Sequence, residues 1–225
     1  MGKGKAFDEK TIQARKSYLF KAANLANKVL DAARQAVGKK QAPEIEDALD
    51  LYEEELNDLV LSANSGVIDA GTLAAMLASL AGTTLLAMFV QAMDQSGSEN
   101  DTVNEIIQRN EGAAEKLAQD IADGRYIGKE DALLRRMSLW LGDARLAYNL
   151  GMVNREGSAE ERFMFVNGPT SDHCADCMRL DGQVHTGSEW SEHPGLLPQS
   201  RDLACSGYRC LCKLEPTNEP VNGKF

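Results

Sequence analysis

Thr170-Ser171-Asp172-His173-Cys174-Ala175-Asp176-Cys177, answered later by Cys205-Ser206-Gly207-Tyr208-Arg209-Cys210-Leu211-Cys212-Lys213-Leu214, divides this 225-residue chain into two kinds of structure. All five cysteines and all three histidines (His173, His185 and His193) fall within residues 170–214. Cys174-x-x-Cys177 places two sulfurs on one tight turn, and Cys205-x4-Cys210-x-Cys212 offers three more on a second. Two such turns facing each other supply the thiolate shell of a tetrahedral zinc ion, with Zn–S distances of about 2.3 Å. An odd number of cysteines cannot pair completely as disulfides within one chain. The N-terminus shows no basic-then-apolar leader, so export is not expected, and unexported cysteines are more often ligands than bridges. The reading is a closed, structural zinc site drawn from Cys174, Cys177, Cys205, Cys210 and Cys212. The second turn offers three sulfurs for two places, so which of Cys205, Cys210 and Cys212 completes the shell is left open.

A catalytic zinc site keeps one position free. The deaminase version needs His-x-Glu ahead of Pro-Cys-x-x-Cys; no His-x-Glu occurs, and His173 stands where the proline would be. Gly-rich phosphate loops, Gly-x-Ser-x-Gly and His-Glu-x-x-His are absent as well. No catalytic residues are assigned, and the chain is read as a non-enzyme. Asp172, Asp176 and Asp181 beside the first pair are turn residues that can also orient ligands.

Upstream of this segment the texture is helical. Aromatics are few and alanine is plentiful. Residues 7–37 carry Leu19, Ala22, Ala26, Val29, Ala33 and Ala36 at three- and four-residue steps, with Gly38 as a stop. Pro43 opens a second helix whose buried stripe is Leu49, Tyr52, Leu56, Leu59 and Ala63, with a turn over residues 62–66. Residues 70–93 hold no charge and are long enough to cross a bilayer. Gly71, Gly82 and the acidic flanks Asp69 and Asp94 favour instead the central helix of a bundle. Thr102-x-x-Glu105 predicts a capping box for a helix reaching Ala122. A further helix over 129–150 shows Leu133, Met137, Trp140, Ala144 and Ala147 on one face, with Gly151 ending it and Arg135, Arg136 and Arg145 solvated. Arg162–Val166 is the best strand candidate. Trp190 and Tyr208 are expected to cover a small core, and Pro216–Phe225 to be loosely held.

The net charge of −10 conceals an asymmetry. Residues 1–40 hold ten Lys and Arg against three Asp and Glu, a net of +7, which leaves −17 for the rest. A basic arm on an acidic body suits an anionic partner, nucleic acid or an acidic protein face, and equally suits a solvated helix with no ligand.

Residues 133–214 resemble the phage head morphogenesis family, minor capsid proteins similar to protein F of phage Mu. The likeness is carried by Ala147-Tyr148-Asn149-Leu150-Gly151 at a helix end, by the element Asp172 to Gly182 around Cys174 and Cys177, and by the closing Cys210-Leu211-Cys212 pair. Where that family has a histidine before the closing pair, this chain has Cys205 and a longer spacer. The resemblance implies a minor head protein of the virion, near the portal, met in the host cytoplasm during assembly. It implies portal and major capsid proteins as partners; packaged DNA is a further contact expected for the arm from its charge alone, and the reading of residues 70–93 as a bundle helix leaves no membrane contact. A nucleic-acid-binding zinc protein is the alternative. The expected fold is mainly α: an elongated helical region of about five helices followed by a small β-containing, Cys-rich zinc-type module. The expected divisions are an arm over 1–40, a helical bundle over 41–155, the module over 156–215 and a tail over 216–225.

Overall fold

The computed structural model describes residues 43–93, 100–170 and 172–225. The expected helix over 7–37, the arm over 1–40 and most of the loop at 95–100 lie outside the described residues. Helix α1 is Pro43–Asn64, α2 Ala70–Met93, α3 Asp101–Ala122 and α4 Glu130–Asn154. A single 3-10 turn at Ser158–Glu160 leads into a module made of β1 (Arg162–Val166), α5 (Ala175–Leu180), β2 (Val184–Thr186), α6 (Gly187–Glu192) and β3 (Lys213–Thr217). The chain is mainly helical with a small sheet, as the sequence predicts.

The first four helices form a bundle around α2. Its Leu73, Leu77, Ala81, Leu85 and Met88 are fully buried or nearly so, and it packs mainly against α3 and α4. Among the described residues α2 is the one helix long and apolar enough to span a membrane. Its place between neighbours accounts for an apolar surface all round. The stripe predicted on α1, from Leu49 through Tyr52, Leu56 and Leu59 to Ala63, is buried. The turn expected over 62–66 is shorter, because Ser62, Ala63 and Asn64 complete the last turn of α1 and Gly66 takes a left-handed conformation.

Three local expectations are corrected. The capping box at Thr102 and Glu105 does not form: Asn100 caps α3, its side chain accepting from the Val103 N–H at 3.1 Å. Asparagine is at least as good a cap as threonine, and it stands one residue before the helix begins. Arg136 is not solvated. It donates to Asp120 at 3.0 Å and to the Tyr126 hydroxyl at 2.8 Å, joining α4 to α3. That guanidinium, with Arg125 and Lys116 nearby, holds the Asp120 carboxyl below the usual carboxylate range against a smaller opposing effect of burial. Arg145 is also paired, to Glu46 on α1 at 2.6 Å.

Gly151 does not end α4 either. The helix runs on to Asn154, and Gly151 lies where α4 crosses α2: a Cβ there would sit 2.4 Å from the Phe89 carbonyl oxygen and 2.7 Å from the Ala92 Cβ. The residue is chosen for close approach, not for termination. Gly151→Ala gains about 1 kcal/mol of helix propensity but forces the two helices apart, an overpacking cost of about 1–3 kcal/mol. Because the clash is with backbone, the cost falls at the upper end of that range, and a net loss of up to about 2 kcal/mol is expected, read as a lower urea midpoint with an unchanged slope.

The module is built on an antiparallel sheet in the order β2-β1-β3, with Phe163 opposite His185 and Phe165 opposite Leu214. Phe163 and Phe165 point inward and are fully buried. Trp190 on α6 covers them, and its indole N–H donates to the Phe163 carbonyl at 3.0 Å. Tyr208, expected to help, is 42% exposed instead. The C-terminal segment is held rather than loose. Pro216 and Thr217 belong to β3, Asn222 accepts from the Val184 N–H at 2.9 Å, and Phe225 stacks between His185 and His193 with ring centroids 3.9 and 4.3 Å away.

His185 is 2% exposed. Burial lowers its pKa below 6.5, with Glu189 opposing the shift and His193 adding to it. A depressed folded pKa means that the unfolded chain binds the extra proton first. The stability contributed by neutral His185 is therefore present above about pH 6.5 and is lost as pH falls through the lower folded value. His185→Gln is expected to flatten the pH dependence of the urea midpoint below pH 6.5 relative to the parent chain, with other groups cancelling in the difference.

Candidate metal centre

The two cysteine turns reach each other through features that begin on α4. Asn149 is buried on that helix and donates to Gln199 Oε1 at 3.0 Å. Gln199 in turn donates through its Nε2 to the carbonyl of Cys210 at 3.1 Å and to that of Cys212. Gln199 is 1% exposed and left-handed, with φ of 65°. A second fastening is Asp143, also on α4 and 1% exposed, which accepts from Arg201 at 2.8 and 3.2 Å and from Arg109 of α3 at 2.7 Å. The second cysteine turn is thus clamped onto the bundle by polar groups.

Between Cys205 and Cys210 the backbone turns through three left-handed residues, Ser206, Gly207 and Arg209. Only Gly207 tolerates this freely, and its missing Cβ also leaves room for the Gln199 carbonyl, 2.4 Å from where that atom would lie. Such conformations on Ser and Arg persist where surrounding contacts over-determine them. The first turn is simpler. Cys174 caps α5, its sulfur accepting from the Cys177 N–H at 3.4 Å, and Asp176 accepts from the Ala204 N–H at 2.8 Å, tying one turn to the other. Asp181 accepts from the Asn167 N–H at 3.0 Å. The carboxylates of Asp176 and Asp181 therefore set the shape of the site.

All five thiols are unbridged. The sulfurs of Cys174, Cys177 and Cys205 lie within 4.8 Å of one another, and so do those of Cys177, Cys210 and Cys212. Cys177 belongs to both groups. Cys174 and Cys177 sulfurs are 3.3 Å apart, and the tetrahedral shell of a zinc ion requires sulfurs about 3.8 Å apart. Every predicted ligand is therefore in the cluster. Among the described residues no histidine or carboxylate joins either group; His185 and His193 are engaged with Phe225.

The thiols share their protons unequally. Hydrogen bonds from the thiols of Cys177 and Cys210, and from the Gly168 N–H, push Cys212 down to about 3 against burial. Cys177, donating to Cys210 and Cys212, is pushed far up. Burial raises Cys205 to about 11, with the Gly207 N–H opposing it. At Cys174 burial also acts upward, but hydrogen bonds from Cys177 and Cys205 outweigh it and leave the thiol below its ordinary value. Such a proton-sharing cluster gives up its protons to a soft cation.

The fold and the site define a helical bundle with a small sheet module whose five thiols can hold a metal ion. No family model, curated protein or solved structure matches the chain. The sequence reading did not single out Gln199, Arg201 or Asp143. Asp143 carried one signal: an acid within the apolar run from Trp140 to Ala147 belongs inside the protein only with a partner.

Proposed function

We propose that this chain is a non-catalytic structural protein of the phage head morphogenesis class, with one zinc ion closing its C-terminal module into a rigid docking element. The observation that carries the reading is the motif itself, Asp172 to Gly182 together with Cys210-Leu211-Cys212. Its residues have architectural roles: Asp176 and Asp181 bond backbone amides, Leu180 is fully buried, and the cysteines converge. Asn149 and Gly151, in the helix segment that shares the resemblance, seat the module and the α2 crossing.

Zinc would be held by Cys177, Cys210, Cys212 and one of Cys174 and Cys205, and when bound it supplies a cross-link between two turns 28 positions apart in the chain. Thiolate donors that fill a shell leave no open position for a substrate, which favours a structural role. The partners in this reading are the portal and major capsid proteins, in the virion head near the portal. Assembly takes place in the host cytoplasm, and the basic residues 1–40 are available to packaged DNA or an acidic protein face.

The alternative, a nucleic-acid-binding zinc protein, is the weaker reading. Residues 155–225 carry seven Lys and Arg against eleven Asp and Glu, the reverse of a basic footprint. The test is co-expression with the portal and major capsid proteins encoded by the same genome. Particles purified on a gradient should carry the chain at a few copies each. Particles from which the chain is wholly absent, with the free protein binding DNA at low salt, would replace this reading with the alternative.

A further inference from the structure

Five sulfurs for four tetrahedral positions leave one over, and the two sulfur groups differ in a way that identifies the competitors. Cys177, Cys210 and Cys212 form a group that is buried throughout. Cys174 and Cys205 are only half-buried, and they lie within 4.8 Å of each other and of Cys177. Each is the first cysteine of its own turn. Each accepts a backbone N–H from within that turn, Cys174 from Cys177 and Cys205 from Gly207. The Asp176 bond to Ala204 holds the two turns side by side. Both sulfurs are half-buried and both lie within 4.8 Å of Cys177, so either is placed to compete for the fourth position.

We propose that Cys177, Cys210 and Cys212 are fixed ligands while Cys174 and Cys205 exchange at the fourth position, leaving one half-exposed cysteine sulfur per chain as a modification site for soft electrophiles. This rests on the zinc reading above. The displaced sulfur is half-exposed, and its capture leaves the ion four-coordinate because the other sulfur takes its place. With iodoacetamide the sulfur, its proton passed to solvent, attacks the methylene carbon, the S–C bond forms as the C–I bond breaks, and iodide leaves. No electrons are gained or lost by the protein as a whole.

The experiment uses the full zinc-loaded chain, a brief exposure to iodoacetamide, native mass measurement and peptide mapping. One label per chain is expected, divided between Cys174 and Cys205, with one zinc retained. Cys174→Ser and Cys205→Ser should each keep the zinc and lose the label, since the remaining sulfur is then fully committed. The double variant should lose zinc affinity by more than the roughly 10–100-fold that removal of an outer-shell partner costs. A label confined to one of the two positions, a label on Cys210 or Cys212, no label at all, or zinc loss from either single variant would overturn the exchange while leaving the zinc site standing. Two ions per chain would overturn it too, as each sulfur group would then hold its own. A parent chain that takes up no zinc would sink the metal reading itself.

Discussion

Cys177→Ser is expected to abolish stable zinc binding and to loosen the C-terminal module while most of the helical signal persists. Cys177 is the sulfur common to both three-sulfur groups, so its loss removes a member from each at once. Four thiols remain in number, but Cys177 is the one sulfur through which the Cys174–Cys205 pair and the Cys210–Cys212 pair are joined, so without it no three of them lie within 4.8 Å of one another. Serine is nearly isosteric and Cys177 is 2% exposed, so packing alone changes little. The loss is of the metal. Structural zinc sites supply on the order of 10 kcal/mol of apparent binding free energy at neutral pH, and in a small module that binding is folding free energy. The expected readings are near-zero zinc after dialysis, a weakened near-UV signal from Trp190, and far-UV helicity close to the parent. Helices α1–α4 contain most of the buried apolar residues and do not depend on the cysteines. Retention of one zinc per chain would remove Cys177 from the ligand set.

Asp143→Ala is expected to be the most damaging change outside the cysteines. The carboxylate is 1% exposed and receives Arg109 from α3 and Arg201 from the module, at 2.7 and 2.8 Å. It therefore joins three parts of the fold in one place. Removing one partner of a fully buried ion pair costs about 3–5 kcal/mol, chiefly because the remaining charge is stranded. Here the arginines are 40% and 30% exposed and can regain water, which reduces the cost to roughly 2–3 kcal/mol. Equilibrium denaturation of the zinc-loaded chain measures it. Asp143→Asn keeps the shape and one of the two acceptor oxygens and should recover part of the loss. If alanine proves neutral, the fastening of the module must rest on Asn149 and Gln199.

Local pattern determined much of this protein. The stripe on α1, the bounds of α2 at Ala70 and Met93, the strand at Arg162–Val166 and the membership of the cysteine cluster all follow from periodicity or spacing, because each is set by residues close in sequence. The expectations that moved depended on distant neighbours. Gly151 reads as a helix stop in one dimension, yet Phe89 sits against it from α2. Arg136 reads as solvated until Asp120 is placed beside it, 16 residues away. Pro216–Phe225 reads as a loose tail because its partners, Val184, His185 and His193, lie more than twenty residues earlier.

The metal centre divides along the same line. Sequence spacing alone shows that two turns can bring five thiols together. Only the tertiary structure separates a buried set, Cys177, Cys210 and Cys212, from the half-exposed Cys174 and Cys205, since burial depends on what distant parts of the chain place over each sulfur. The polar clamp of Asn149, Gln199, Asp143 and Arg201 was likewise decided in three dimensions. A buried hydrogen bond between residues fifty positions apart has no sequence period to announce it, and its energy is realised only once the apolar core has excluded water.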